Sequence, residues 1–167
     1  MQNCGMMIDN ASTDLRQVIS AMISEACETY NSDLSHVPED KLHAIPMGAA
    51  RTPASFTAEC IGFNRFVARA LRNEPVYMPG TEEREAFVRS FDSLTKLQEG
   101  LTDSCGVVIE ALAALEPEEL AAEVRAPWGQ PLPAYRLAYY AASHMNYHDG
   151  QINYIQSLYG DGEMHWA

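Results

Sequence analysis

Apolar residues recur with the period of an α-helix in four separate stretches, and none alternates convincingly with the period of a strand. A chain patterned this way buries its apolar stripes by packing helix on helix. The first helix is expected over about residues 13–31, with Thr13 as its N-cap and Leu15, Val18, Ile19, Met22, Ala26 and Tyr30 on one face. The second, about 53–73, opens on Thr52-Pro53, a cap followed by proline at the first helical position, and carries Phe56, Cys60, Phe63, Val67 and Ala70 as its stripe. The third, about 81–115, holds Phe87, Phe91, Leu94, Leu97, Leu101, Val108, Ile109 and Leu112. Gly100 and Gly106 weaken its interior, so it is expected as one long helix with a kink, with two shorter helices as the alternative. The fourth, about 134–159, ends where Gly160 can adopt a left-handed conformation. Residues 34–51 and 117–133 are rich in proline and glycine and read as long irregular connections. The expected fold is all-α: one four-helix-bundle domain over residues 1–167, with long connections between helices 1–2 and 3–4.

Composition narrows the partners. The chain has 11 Lys+Arg against 23 Asp+Glu, a formal net charge of -12, which argues against gripping nucleic-acid phosphates. No apolar run is long enough to span a bilayer, and the N-terminus has neither a basic region nor a long apolar one, so no membrane partner is expected. Cys4 follows no lipoprotein-type apolar segment. The four cysteines, Cys4, Cys27, Cys60 and Cys105, are scattered without a CxxC, which suits a reduced, cytoplasmic setting. Cys27 and Cys60 read as small buried hydrophobes.

One apolar stripe carries a chemical signature. On the fourth helix, Leu137, Ala141, His144, His148, Ile152 and Ile155 share a face, so two imidazoles sit at the centre of a buried stripe. Four residues of helix rise roughly 6 Å, which lets two such rings converge on one ion. A catalytic metal site usually needs a third protein ligand from a neighbouring element. Glu59 falls on the arc of Phe56, Phe63, Phe66 and Ala70, where a carboxylate is costly unless paired or metal-bound. It is either that ligand or a boundary glutamate that reaches water or pairs with an arginine. Cys60 is a rival ligand that fits better as a packed thiol. His36 and His165 read as surface histidines, and His43 is placed to line the mouth of the site. Neither a nucleophile elbow nor a phosphate-binding glycine loop occurs.

HMNYHDGQINYIQSLYG resembles the HxxxHxGQ signature in the last helix of the DinB/YfiT-like superfamily of bacterial metal-binding four-helix bundles. TPASFTAECIGFNRF is similar to that family's second helix, and the PWG turn before the fourth helix is also shared. The resemblance implies a divalent ion (zinc, nickel or iron) held by three histidines. Two correspond to His144 and His148, while the helix-two position, five residues before Asn64, is Glu59, a departure from the family pattern. Two histidines and one carboxylate are accepted by zinc in hydrolytic sites and by non-haem iron. The resemblance further implies a small-molecule substrate, with relatives that use low-molecular-weight thiols such as bacillithiol or mycothiol. The expected function is thiol S-transferase-like catalysis, with metal-dependent hydrolysis or a non-catalytic, homodimeric metal-binding or stress role as alternatives. Gln151, Asn64 and Tyr147 are candidates to orient the ligands or the substrate.

Overall fold

The computed structural model describes residues 14–165; the expected Thr13 cap and Cys4 lie outside them. In chain order the elements are α1 (Leu15–Ser35), a 3-10 turn (Glu39–Lys41), α2 (Pro53–Leu71), α3 (Thr81–Ser90), α4 (Leu94–Ala113), α5 (Pro117–Leu120), β1 (Glu123–Arg125), β2 (Pro131–Pro133) and α6 (Ala134–Leu158). Four of these, α1, α2, α4 and α6, form the core. α2 packs chiefly on α4 and α1 chiefly on α6, while α1–α4 and α2–α6 contacts close the bundle. No described helix is long and apolar enough to cross a membrane.

α1 begins at Asp14, whose carboxylate accepts from the amide of Arg16 at 3.0 Å and so satisfies a first-turn donor. Its buried stripe is rotated from the expected one. Ile19, Ile23, Ala26, Cys27, Tyr30 and Leu34 are buried, whereas Leu15, Val18 and Met22 are about 40% exposed. The helix also runs past Asn31-Ser32, where the apolar pattern fades. The pattern fades there because the stripe continues through a polar residue. Asp33 is fully buried, held by the Asn153 amide on its carboxylate at 2.7 Å and by the Gln156 amide on its carbonyl.

α2 starts as expected: the Thr52 hydroxyl accepts from the Ser55 amide at 3.1 Å, and Pro53 occupies the first turn. The expected third helix is divided. α3 ends at Ser90 and α4 begins after Ser93, whose hydroxyl accepts from the Lys96 amide. The break lies at Phe91–Ser93, upstream of both glycines, and α4 runs uninterrupted through Gly100 and Gly106. Phe91 leaves the helical conformation (φ -95°, ψ 77°) and lays its ring against Gly100, where an added Cβ would stand 2.6 Å from it. Gly100 is therefore a landing place for Phe91, and the backbone between them turns to deliver it.

A second correction concerns residues 117–133. They are not wholly irregular: β1 and β2 form a short antiparallel ladder that pairs Val124 with Leu132. The turn runs from Ala126 to Gly129, with the Gly129 amide on the Ala126 carbonyl at 2.9 Å and Gly129 at φ 86°. Strands of three residues are too short to display a period of two. α6 ends one residue before the expected Tyr159, and Gly160 follows at φ 93°.

The α1–α6 seam buries a second carboxylate beside the first. Burial, with the Asp33 charge and hydrogen bond, pushes the Asp149 carboxyl up to about 7. A group whose folded pKa lies above its unfolded value keeps its full stabilising contribution below the unfolded pKa. That contribution is lost as pH rises through the folded one. Stability should therefore fall between pH about 4 and about 7. Asp149→Asn replaces the second carboxyl beside Asp33 with an uncharged amide. It should raise the melting temperature at pH 8 by about 4 °C and flatten the dependence over that window, as read by thermal denaturation across pH.

Candidate metal centre

α6 brings His144 and His148 to its α2-facing side, one helical turn apart. Phe56 and Phe63 on α2 wall them in. The Phe56 ring stacks on His148 with centroids 5.0 Å apart, and Phe63 lies against His144 at 4.7 Å. His148 is buried and His144 partly so, and their Nε2 atoms approach to 3.1 Å.

Gln151 decides which nitrogen of His148 is available. Its Oε1 atom lies 2.6 Å from His148 Nδ1. An amide oxygen only accepts, so Nδ1 carries the proton and Nε2 of the neutral ring presents a bare lone pair. The Gln151 amide nitrogen in turn reaches the Tyr147 hydroxyl at 3.5 Å, which orients the glutamine. A hydrogen bond on the far nitrogen is how proteins fix a metal-ligating imidazole.

Glu59 comes up from α2 at the edge of the aromatic wall. Its Oε1 stands 3.4 Å from His144 Nε2 and 3.6 Å from His148 Nε2, while Oε2 pairs with the Arg51 guanidinium at 2.5 Å. The carboxylate is thus half-exposed, and it both faces the histidines and pairs with an arginine. The facing imidazoles of His144, then His148, hold its pKa far below the usual carboxylate range, with Arg51 helping and burial opposing. The three donor atoms form a triangle of edges 3.1, 3.4 and 3.6 Å. Ligands about 2.05 Å from a tetrahedral zinc ion are spaced by about 3.3 Å, so the triangle is close to the size such an ion needs.

Cys60 offers a competing set. Its thiol lies within 4.8 Å of donor atoms of both His144 and His148, so Cys60, His144 and His148 form a potential metal-binding cluster. The thiol is fully buried, and burial followed by the Glu59 charge pushes its pKa well above the usual thiol range. Cys60 would have to lose its proton beside an existing carboxylate, whereas Glu59 is already ionised and closer-fitting.

The other residues singled out in the sequence fall elsewhere. Asn64 is buried and its amide donates to Ser104 Oγ at 3.1 Å and Cys105 Sγ at 3.4 Å, tying α2 to α4. His43 is committed to the Phe91 carbonyl at 2.9 Å. His36 and His165 stack on each other, with His165 held by Asp161. The centre opens into a pocket of about 490 Å³ lined by Arg51, Phe56, Glu59, Tyr147, Gln151 and Tyr154, among others. Arg51 was not anticipated. The only sequence signal is a rare basic residue just ahead of the Thr52-Pro53 cap, two helical turns before Glu59.

The sequence profile of the DinB superfamily matches residues 22–152, a span that includes both histidines and Glu59. The chain belongs to the DinB superfamily. Solved structures agree on the fold of this DinB protein. A conserved protein from Enterococcus faecalis is similar with a TM-score of 0.70 at 16% identity, covering 87% of this chain and 97% of that one. A Streptococcus pneumoniae protein gives 0.68 at 17% identity, covering 86% and 91%. The mycothiol-dependent maleylpyruvate isomerase gives 0.66 at 14% identity, covering 82% of the DinB chain, which in turn spans 60% of the isomerase. No curated protein sequence matches significantly.

Proposed function

We propose that this DinB protein is a metal-dependent enzyme of thiol S-transferase type, with His144, His148 and Glu59 holding a divalent zinc, nickel or iron ion. The observation that carries the reading is the triangle of Nε2, Nε2 and Oε1 at 3.1–3.6 Å, open on one side to the pocket. The ion would supply Lewis acidity that favours the thiolate of a low-molecular-weight thiol. Around it, the protein's own groups have separable tasks. Gln151 keeps the His148 proton on Nδ1, so that Nε2 stays free. Phe56 and Phe63 keep both rings from turning away. Glu59 lowers the net charge of the centre relative to a third histidine, which tempers the Lewis acidity the ion would supply. The structural likeness to an isomerase that depends on mycothiol supports a thiol as the small-molecule partner.

The test is thiol transfer to a model electrophile such as monochlorobimane, with zinc-loaded protein and several low-molecular-weight thiols. Saturable, metal-dependent conjugation supports the reading. Turnover of ester or amide substrates without any thiol dependence would move the site to hydrolysis.

A further inference from the structure

We propose that the pocket recognises a small molecule bearing a carboxylate, and that Arg51 docks it. The proposal deepens the reading of this pocket as the substrate side of a metal centre, but its ligand contact lies on Arg51 and not on the ion.

The guanidinium of Arg51 is fixed at one end only. Its Nη2 is shared between Glu59 Oε2 at 2.5 Å and the Ser55 carbonyl at 3.2 Å. Its face lies on the Phe56 ring, 4.9 Å from the centroid. The group is thus held flat and in place. Nε and Nη1 have no hydrogen-bond partner among the described residues, and the side chain is 47% exposed at the pocket. A guanidinium carries five N–H donors in a planar fork. Here the fork's inner end is occupied and its outer donors stand free.

The surroundings select what those donors take. Among the described residues, Arg51 is the only lysine or arginine lining the pocket, in a chain whose net charge is -12. A cation kept at this position therefore stands out against the surrounding field. When Glu59 shares its charge with a metal ion, the guanidinium charge is no longer balanced by Glu59 alone. One planar cation beside a carboxylate suits a monoanion that can accept two parallel N–H bonds, which describes a carboxylate. A phosphate dianion would find one cationic side chain, already shared with Glu59, among the described residues of the pocket. Phe56, Ile155, Ala49 and Ala50 supply an apolar wall for the rest of the molecule, and the Tyr147 and Tyr154 hydroxyls supply polar contacts.

The test compares benzoate with benzamide, which share a shape but differ in charge. Both are titrated into zinc-loaded and metal-free protein and followed by the Arg51 Nε–H resonance. Benzoate should bind about tenfold or more tightly than benzamide to the zinc-loaded protein and shift that resonance. Arg51→Gln should bring benzoate down to the level of benzamide, with Arg51→Lys between them. Unchanged benzamide affinity would report an intact pocket. Equal affinities in the unmodified protein, a benzoate preference that survives Arg51→Gln, or inorganic phosphate binding more tightly than benzoate would each overturn the proposal. Zinc content of the same samples keeps the two readings apart. A benzoate preference in protein that never takes up zinc would remove the metal centre alone. Zinc at one equivalent with no benzoate preference would remove the carboxylate site alone.

Discussion

His148→Ala protein should leave purification without a bound divalent ion, and its zinc affinity should fall by at least about 100-fold on titration. The removed ring is the buried member of the pair, the one whose Nε2 lone pair is fixed by Gln151 and whose plane is fixed by Phe56. Changing groups that merely support a metal ligand typically costs 10–100-fold in affinity, so loss of a pre-oriented ligand costs at least the upper end of that range. The control is His165→Ala. That ring stacks on His36 and bonds to Asp161, remote from the centre, and its loss should leave metal content unchanged. Equal metal content in His148→Ala and unmodified protein would show that the ion sits elsewhere.

The second large effect concerns the fold. Gly100→Val should destabilise the protein by about 1–3 kcal/mol, because even its first added carbon would lie 2.6 Å from Phe91 and 3.0 Å from Ile61. At this chain length that corresponds to a fall in melting temperature of about 2–12 °C. Gly106→Ala should act oppositely. Nothing lies within 4 Å of its added Cβ, and removing glycine from a helix interior stabilises by about 0.5–1 kcal/mol. The two glycines look alike in the sequence, yet the fold gives them opposite roles. Thermal or urea denaturation of both variants checks the pair, and a stabilising Gly100→Val would contradict the packing of Phe91 onto α4.

That contrast illustrates what the sequence could and could not convey. Helical period and caps revealed the four core helices because those signals are local: Thr52-Pro53 opens α2 and Gly160 follows α6 as their chemistry requires. The break before α4 was misplaced because its cause is tertiary. Ser93 caps a helix that starts there only because Phe91 must turn inward to reach Gly100. The α1 stripe was misjudged for a related reason. Val18 and Met22 are apolar but partly exposed, while the buried run continues through Asp33, whose hydrogen bonds to α6 no periodicity reveals. At the site, spacing along one helix was enough to pair His144 with His148. The wheel also drew Glu59 towards them, but left two fates open for it. In the structure one carboxylate oxygen faces the imidazoles and the other pairs with Arg51. Arg51 itself lies before the helix begins, where helical period carries no information.

Zinc affinity of Glu59→Gln, measured beside Cys60→Ala, bears most directly on the ligand set. A centre built from Glu59, His144 and His148 predicts a loss of about 100-fold or more in Glu59→Gln and a change within about threefold in Cys60→Ala. Full zinc retention in Glu59→Gln would contradict it, and zinc loss confined to Cys60→Ala would assign the third ligand to the buried thiol.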